Sequence, residues 1–185
     1  MESTSEINTS EPIPIKGAYE IYDGKREELI TLTRAGRLLQ EGELLPPIPG
    51  ISPEGVFIIH TVNAFGTPTC DECTSELETF HQQHPGVPVY SLTKQTPEQI
   101  QEENAKHPGQ EVTHNQLSID DGTAIDLGVA LRPGEGADEE FWPTALRRMV
   151  AVVKDGQVVH IQEHDDQEEK PDFMKVFETV ESLSN

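Results

Sequence analysis

The stretch "GVFIIHTVNAFGTPTCDEC", residues 55–73, decides the fold of this chain. Its first eight residues are apolar on both faces and rich in β-branched side chains, which is typical of a central strand buried on both sides. Both cysteines of the chain, Cys70 and Cys73, follow this strand in a C-x-x-C spacing. The spacing is compatible with a redox dithiol, with half of a metal site, or with two thiols that are simply buried.

The two cysteines lie near the first turn of a predicted helix. The segment "TSELETFHQQH", residues 74–84, carries Leu77 and Phe80 three positions apart, and Pro85 follows it. Apolar residues at this spacing, ended by a proline, indicate one face of a helix and its C-terminal end. We therefore expect the dithiol at the start of a helix that comes directly after the buried strand.

A second strand and a second helix follow. The strand is "VPVYSLT", residues 87–93, and Thr96 with Gln99 three positions later predicts a capping box. This box begins a helix over "PEQIQEENAKH", residues 97–107. The order strand, helix, strand, helix predicts a right-handed crossover unit with parallel strands.

The rest of the chain completes an α/β pattern. The segment "TAIDLGVAL", residues 123–131, predicts a short helix, and residues 149–164 predict two strands that turn at Asp155-Gly156. Residues 171–183 carry apolar side chains along one face of a last helix. This order is that of the thioredoxin fold, a central mixed sheet flanked by helices, with the C-x-x-C where that fold keeps its active site.

The N-terminal part adds two features to this fold. Residues 1–15 are Ser, Thr, Glu and Pro with little to bury, and we expect them to form a disordered acidic leader. The thioredoxin-like domain is then expected over 16–185. Asp23-Gly24 between two extended stretches predicts an N-terminal β-hairpin extension. Elsewhere in the chain, residues 134–142 predict a polar loop.

The composition indicates one domain in a reducing compartment. Of the 185 residues, 34% are hydrophobic and 5% aromatic, which suits a single soluble domain with flexible ends. The N-terminus lacks the pattern of a signal peptide, and no stretch approaches the ~20 apolar residues of a membrane helix. We therefore expect a cytoplasmic protein, in which a C-x-x-C pair is catalytic or metal-binding rather than a structural disulfide.

The charge of the chain argues against polyanionic partners. It has 13 Lys and Arg against 34 Asp and Glu, a formal net charge of -21 that is spread along the sequence. Such a surface repels polyanions, so we expect neither nucleic acid nor an anionic membrane as a partner. The acidity by itself does not select a function.

The spacing of the cysteines and two histidines resembles a zinc site, but helix geometry argues against it. Cys70, Cys73, His81 and His84 form the spacing C-x2-C-x7-H-x2-H. On a single helix, at ~1.5 Å per residue, His81 lies about 12 Å along the axis from Cys73, too far for ligand bonds near ~2 Å. The polar residues around the cysteines also make a purely structural role in the core an unusual one. A redox dithiol remains the favoured interpretation.

The surroundings of Cys70 have opposing effects on the stability of its thiolate form. A cysteine near a helix N-terminus faces unpaired backbone N–H groups and the positive end of the helix dipole, which favour the thiolate. Asp71 and Glu72 place negative charge beside the same sulfur and disfavour it. A reactive Cys70 therefore needs a cation from elsewhere in the chain.

Three segments resemble one enzyme family. "TPTC", residues 67–70, placed after a buried strand, resembles the peroxidatic-cysteine motif of the peroxiredoxins, and in particular of their thiol peroxidase branch. "ALRRMVAVVKDGQVV", residues 145–159, is similar to the hairpin strand that opens with an Arg in that branch. The final segment, "PDFMKVFETV", resembles the family's last helix, so the likeness covers most of residues 16–185.

The resemblance implies a set of site residues. Cys70 would be the peroxidatic cysteine, Thr67 would contact the peroxide, and Arg148 would hold the thiolate and polarise the substrate. It also implies that Arg148 contacts the Cys70 sulfur, whereas Arg147 is expected to pair with surface acid. A thioredoxin would instead have a cis-proline at the place of Arg148, so the Arg favours a peroxidase over a disulfide exchanger.

The chain departs from the family at two points. It has Asn63 where the motif has a proline, seven residues before the cysteine, and no cysteine in "EENAKHPG", residues 102–109, where the resolving cysteine of thiol peroxidases lies. Cys73 is then the only internal candidate to resolve a sulfenic acid on Cys70. The first departure reduces the shielding of the site, and the second changes the catalytic cycle.

The sequence thus predicts a thiol-dependent peroxidase. It would reduce hydrogen peroxide or small organic hydroperoxides without metal or organic cofactor, with a thioredoxin-like or other dithiol as reductant and, as the family implies, a homodimeric assembly. Two other functions stay open: a disulfide oxidoreductase that uses the same two cysteines, and a non-enzymatic redox sensor or binding module on the same fold.

Overall fold

The computed structural model describes residues 12–15, 30–35, 37–62, 68–106, 111–133, 146–164 and 169–184. In chain order they form the strands and helices β1 (Pro12–Ile15), β2 (Ile30–Ala35), β3 (Val56–Thr61), α1 (Pro68–Gln83), β4 (Val89–Thr93), α2 (Pro97–Lys106), β5 (Asn115–Ser118), α3 (Asp121–Asp126), β6 (Ala130–Pro133), β7 (Arg148–Lys154), β8 (Gln157–His164) and α4 (Phe173–Ser184). Among these helices, none is both long and apolar enough to cross a membrane.

The main sheet has five strands in the order β5-β4-β3-β7-β8. Strand β3 runs parallel to β4, which runs parallel to β5, whereas β7 is antiparallel to both β3 and β8. The predicted mixed sheet is confirmed, and β3 is its central strand.

Strand β3 separates two apolar layers. Phe57 and Ile59 pack on the side of α3, while Ile58 packs with Leu77 of α1 and Val176 of α4 on the other side. Removing such a side chain from water contributes roughly 1.5–3 kcal/mol. The amphipathic patterns predicted for the two larger helices are therefore confirmed, because their apolar faces cover one side of the sheet.

Two local signals are realised as the sequence predicts. The Thr96 backbone N–H donates to Gln99 Oε1 (2.8 Å) and the Gln99 N–H to Thr96 Oγ1 (3.3 Å), which is a capping box at the start of α2. Asp155 and Gly156 have φ of 49° and 79°, the positive values of a type I′ turn between β7 and β8.

Besides β1 in the N-terminal segment, two strands, β5 and β6, are missed by the sequence analysis. β5 is polar and lies at the edge of the sheet, where its alternation is weak. The helix predicted over 123–131 ends at Asp126, and β6 begins at Ala130. Gly128 separates them with φ of 72°, and a Cβ at this glycine would lie 2.2 Å from the carbonyl oxygen of Arg37. This close approach to another backbone segment requires glycine and bends the chain out of the helix.

A three-stranded sheet of β1, β2 and β6 adds to the core fold. Strand β1 pairs antiparallel with β2, in agreement with an N-terminal hairpin, although the turn expected at Asp23-Gly24 lies outside the described residues. Pro12–Ile15 belong to the segment assigned to the leader, so this part of it is strand and the boundary expected at Lys16 falls after β1.

Candidate active site

The two cysteines lie at the start of α1. The helix begins at Pro68, a residue well suited to a first helical turn, so Cys70 and Cys73 are its third and sixth residues. Both side chains are buried, and both thiols are free. Cys70 packs against Val62, just past the end of β3, and Ile100 of α2. The predicted position of the dithiol at the beginning of the helix is confirmed.

Arg148 opens strand β7 and reaches both sulfurs. Its Nη1 lies 3.5 Å from Cys73 Sγ and its Nη2 lies 3.8 Å from Cys70 Sγ, although 75 and 78 positions separate these residues in sequence. The side chain is buried, with only 3% of its surface exposed. The expected contact between Arg148 and the Cys70 sulfur is confirmed. One guanidinium therefore places its positive charge against both thiols, away from bulk water.

The burial of Cys73 determines its protonation. Removal from solvent raises the pKa of Cys73 to about 11, and the negative charges of Cys70 and Glu76 act in the same direction. The positive charges of Arg148 and Lys170 oppose this rise without cancelling it. Cys73 is consequently a neutral thiol at physiological pH, and as long as α1 stays closed it is a poor nucleophile.

Lys170 forms ion pairs with acidic residues beside the dithiol. Lys170, in the segment before α4, lies 3.3 Å from a carboxylate oxygen of Glu72 and 3.7 Å from one of Glu76. These ion pairs are exposed, so solvent screens them strongly. The sequence analysis misses Lys170, because a single Lys that follows a run of acidic residues carries no signal of where it folds.

Arg147 is paired but not at the surface. Its Nη1 lies 3.2 Å from Glu163 Oε2, and its own side chain is buried. The expectation of an acidic partner is thus correct, whereas the expectation of a surface position is wrong. Arg147 comes just before β7, and its partner Glu163 lies opposite Met149 in the β7–β8 register, whereas Arg148 lies opposite His164. Because neighbouring strand residues point to opposite faces, Arg147 lies on the face of Met149 and Arg148 on the other.

Two residues of the expected site lie outside the described part of the chain. The description ends at Val62 and resumes at Pro68, so neither Thr67 nor Asn63 is within it. Within the described ranges, no three His, Cys, Asp or Glu side chains are grouped to hold a metal ion. The two histidines considered for zinc make ring contacts instead, His81 with His114 (centroids 6.4 Å apart) and His84 with Phe80 (4.4 Å).

A buried polar network holds α1 further along its length. Glu78 accepts hydrogen bonds from the backbone N–H of Thr113 (2.9 Å), from the N–H of His114 (3.1 Å), from His114 Nδ1 (2.8 Å) and from the Thr113 hydroxyl. His114 Nε2 lies 2.9 Å from Ser91 Oγ on β4. Three elements distant in sequence, α1, β4 and the segment before β5, are therefore joined by one carboxylate and one imidazole.

The charges of this network follow from its contacts. Burial would raise the pKa of Glu78, but the hydrogen bonds from Thr113 and His114 outweigh it and lower the pKa to about 2. Burial lowers the pKa of His114 in spite of the carboxylate beside it. A neutral His114 donates from Nδ1 to Glu78 and accepts at Nε2 from the Ser91 hydroxyl.

His60 is a further polar residue that the sequence analysis does not single out. It is fully buried in β3, and within the described residues neither ring nitrogen has a hydrogen-bond partner. Burial, followed by the charges of Arg148 and His114, lowers its pKa to about 3. A histidine inside an otherwise apolar strand is the only sequence signal that points to it.

Several solved structures have a fold similar to that of this chain. The peroxiredoxin-like protein from Aquifex aeolicus is 23% identical, with a TM-score of 0.68 over 94% of this chain and 98% of that chain. The thiol peroxidase from Chromobacterium violaceum is 11% identical, with the same TM-score and coverage. AhpC from Mycobacterium tuberculosis is 12% identical, with a TM-score of 0.61 over 80% of this chain and 100% of its own.

These likenesses confirm the predicted thioredoxin-like fold over nearly the whole chain. No protein-family model and no curated protein matches the sequence. At these identities the shared property is the fold, and the chemistry of this chain must be argued from its own residues.

Proposed function

We propose that the chain is a thiol-dependent peroxidase that reduces hydrogen peroxide or small organic hydroperoxides, with Cys70 as the peroxidatic residue. The observation that carries the proposal is the contact of one buried guanidinium, that of Arg148, with both sulfurs at the start of α1. The resemblance of "TPTC" to the peroxiredoxin motif and the names of the similar structures support the same reaction.

The first step is an attack of the Cys70 thiolate on the terminal oxygen of the peroxide. A sulfur–oxygen bond forms, the oxygen–oxygen bond breaks, and the leaving oxygen takes a proton and departs as water or an alcohol. The product on the enzyme is the sulfenic acid of Cys70. By resemblance, Thr67 and Arg148 orient the peroxide, and the backbone N–H of Cys70 helps to stabilise the developing charge.

Arg148 favours the reactive form of Cys70. A positive charge about 4 Å from a thiolate contributes on the order of 4 kcal/mol at an effective dielectric near ~20, before the cost of desolvation is subtracted. Cys73 is a neutral thiol beside the same guanidinium, which leaves Cys70 as the nucleophile in this proposal.

The second step joins Cys73 to the oxidised Cys70. The Cys73 sulfur attacks the sulfenic sulfur, a disulfide forms, and the hydroxyl leaves as water with the proton of the Cys73 thiol. Burial keeps that thiol protonated in the closed helix, and helical geometry is unfavourable for the bridge. The first turn of α1 must therefore loosen before the disulfide closes, after which a thioredoxin-like or other dithiol reopens it.

Two further parts of the proposal concern context. Two free thiols in C-x-x-C spacing suit the reducing cytoplasm. A homodimer is proposed on family likeness alone. The net charge of -21 supports the expectation that neither nucleic acid nor an anionic membrane is a partner.

Peroxide consumption in the presence of thioredoxin, thioredoxin reductase and NADPH tests the proposal. The wild-type chain should consume peroxide, and Cys70→Ser should lose this activity completely. Insulin reduction by the same samples tests disulfide exchange, the alternative that a buried C-x-x-C at a helix start favours. Insulin reduction without peroxide consumption would establish the alternative, and neither activity would leave a sensor or binding module.

Trapping experiments separate the two cysteines. In Cys73→Ser treated with one equivalent of hydrogen peroxide, a sulfenic-acid probe should label Cys70. In the oxidised wild-type chain, mass spectrometry without reduction should find a disulfide between Cys70 and Cys73 within one chain. A covalent dimer, or a sulfenic acid that persists, would show that resolution comes from another thiol.

A further inference from the structure

Thr61 holds the backbone on both sides of Arg148. It is the last residue of β3 and is almost fully buried. Its Oγ1 donates a hydrogen bond to the carbonyl oxygen of Arg147 (2.6 Å) and accepts one from the N–H of Met149 (2.8 Å). These two backbone groups belong to the peptide units before and after the Arg148 Cα. One oxygen atom thus ties down both peptide units that define the φ and ψ of Arg148.

The hydroxyl acts where the strand pairing stops. The last residue pair of the β3–β7 ladder is His60 with Val150, and in the same register Thr61 would come opposite Met149. There the Thr61 side chain adds hydrogen bonds to Met149 of β7 and to Arg147, the residue just before this strand. The hydroxyl thus extends the connection between β3 and the start of β7 beyond the last residue pair of the ladder.

The position of the guanidinium depends on this backbone. Its contacts to the sulfurs, 3.5 and 3.8 Å long, are longer than N–H···O hydrogen bonds, so the backbone that carries the side chain must be held as well. On the other side, the Arg147 N–H donates to the carbonyl of Val129 (2.8 Å). The base of the side chain is therefore held from two sides, and Thr61 supplies the link to the strand that leads toward the cysteines.

We propose that Thr61 is a positioning residue, whose hydroxyl holds the Arg148 backbone so that the guanidinium meets both sulfurs of the dithiol. The geometric part of this inference does not require a peroxide. Its consequence for turnover rests on the proposed function.

The test measures the reactivity of Cys70 directly. The full chain is alkylated with iodoacetamide over a range of pH, and labelling of Cys70 is quantified separately from that of Cys73 by peptide mass spectrometry. Thr61→Val has nearly the same shape but no hydroxyl, and it should move the midpoint of Cys70 alkylation to higher pH by about one unit. Thr61→Ser keeps the hydroxyl and should restore the wild-type midpoint.

Ile59→Val is the matched control for stability. It lies two residues earlier on the same face of β3, removes one methylene from the core, and leaves the Thr61 hydrogen bonds intact. It should lower the melting temperature without moving the alkylation midpoint. An unchanged midpoint in Thr61→Val, or an equal shift in Ile59→Val, would overturn the proposal.

Two outcomes keep this inference separate from the proposed function. If Thr61→Val does not fold, the folded Thr61→Ser variant still decides, because a midpoint shifted as far as in Arg148→Met would contradict the role of the hydroxyl. A midpoint shift in Thr61→Val in a chain that consumes no peroxide would support the positioning role and reject the peroxidase. Peroxidase activity in the wild-type chain, with no midpoint shift in Thr61→Val, would support the peroxidase and reject the positioning role.

Discussion

The two ends of α1 are held in opposite ways. At the N-terminal end, Arg148 reaches the sulfurs of Cys70 and Cys73 over 3.8 and 3.5 Å, distances longer than those of N–H···O hydrogen bonds. Two turns further on, the carboxylate of Glu78 accepts short hydrogen bonds from two neighbouring backbone N–H groups and from the His114 ring. The contacts of Arg148 at the first end are long, whereas the second end is held by a buried network of short hydrogen bonds.

This difference matches what the proposed cycle requires of the helix. The first turn must loosen for a disulfide to close, while the rest of the helix must stay in place so that the sulfurs return to Arg148 after reduction. Segments that open in function come from the least stable parts of a structure. One helix can therefore combine a releasable end with a fixed one when different contacts hold each end.

The largest effect is expected from removing the cation at the first end. Arg148→Met keeps most of the apolar stem and removes the charge, so it should lower kcat/KM for hydrogen peroxide by about 10²–10³-fold. Arg147→Met is the control, since that side chain lies on the opposite face and pairs with Glu163. It should reduce stability and leave the peroxide rate nearly unchanged. Equal losses of rate in both variants would show that Arg148 has no special role at the sulfurs.

The next effect concerns the second end of the helix. Glu78→Gln removes acceptor capacity and directs an amide donor at groups that also donate, so it should lower the free energy of unfolding by about 2–3 kcal/mol. Urea denaturation measures this, and Glu76→Gln, exposed on the same helix, should change it little. If both substitutions cost the same, the buried network does not anchor α1.

The pH dependence of stability tests His60, whose pKa responds both to Arg148 at the first end and to His114 at the second. The pKa of His60 is about 3 in the folded chain, against ~6.5 unfolded, so the unfolded state binds the proton first as the pH falls. Stability is therefore complete above pH ~6.5, and at pH 5 the imidazole removes about 2 kcal/mol of it. The lowered pKa of His114 acts in the same direction.

Substitution of His60 measures its contribution to the loss of stability at acid pH. His60→Leu should keep the stability of the wild type at pH 7 and flatten the loss between pH 7 and 5, as measured by urea denaturation at each pH. A slope equal to that of the wild type would assign the acid sensitivity to His114 and other groups. The carboxylate of Glu78 adds a separate loss only below pH ~4.3, because its folded pKa is lowered to about 2.

The smallest effect is expected from the exposed cation near the first turn. Lys170→Gln removes the ion pairs to Glu72 and Glu76 and a positive charge that favours the Cys73 thiolate. Disulfide closure, followed in stopped flow after a peroxide pulse, should slow by about twofold at low salt and not at all at high salt. A loss as large as that of Arg148→Met would mean that Lys170 belongs to the reactive centre.

Much of the fold could be predicted from short stretches of sequence. The apolar run of β3, the capping box of Thr96 and Gln99, and the turn at Asp155 and Gly156 each depend on residues within a few positions of one another. Patterns of this kind are physical preferences of the local chain, so they are realised wherever the chain folds. The polar strand β5 has no such pattern and was missed.

The position of the dithiol and its likeness to a known motif could also be predicted, and with them the contact to Arg148. The sequence by itself could not tell that Arg147 is buried, since two neighbouring arginines differ only in the direction in which the folded chain points them. It could not reveal that the Thr61 hydroxyl bonds to the backbone on both sides of Arg148, or that Glu78 and His114 meet across 36 positions.

What the sequence determines and what the tertiary structure determines differ in the range of the interactions involved. The sequence alone determined the strand and helix order and the place of Cys70 and Cys73, because periodicity, capping and turn preferences act between near neighbours. The tertiary structure decided which cation, carboxylate and imidazole surround α1, because hydrogen bonds and burial join groups that are distant in sequence and exist only when the β3–β7 register and the helix packing bring them together.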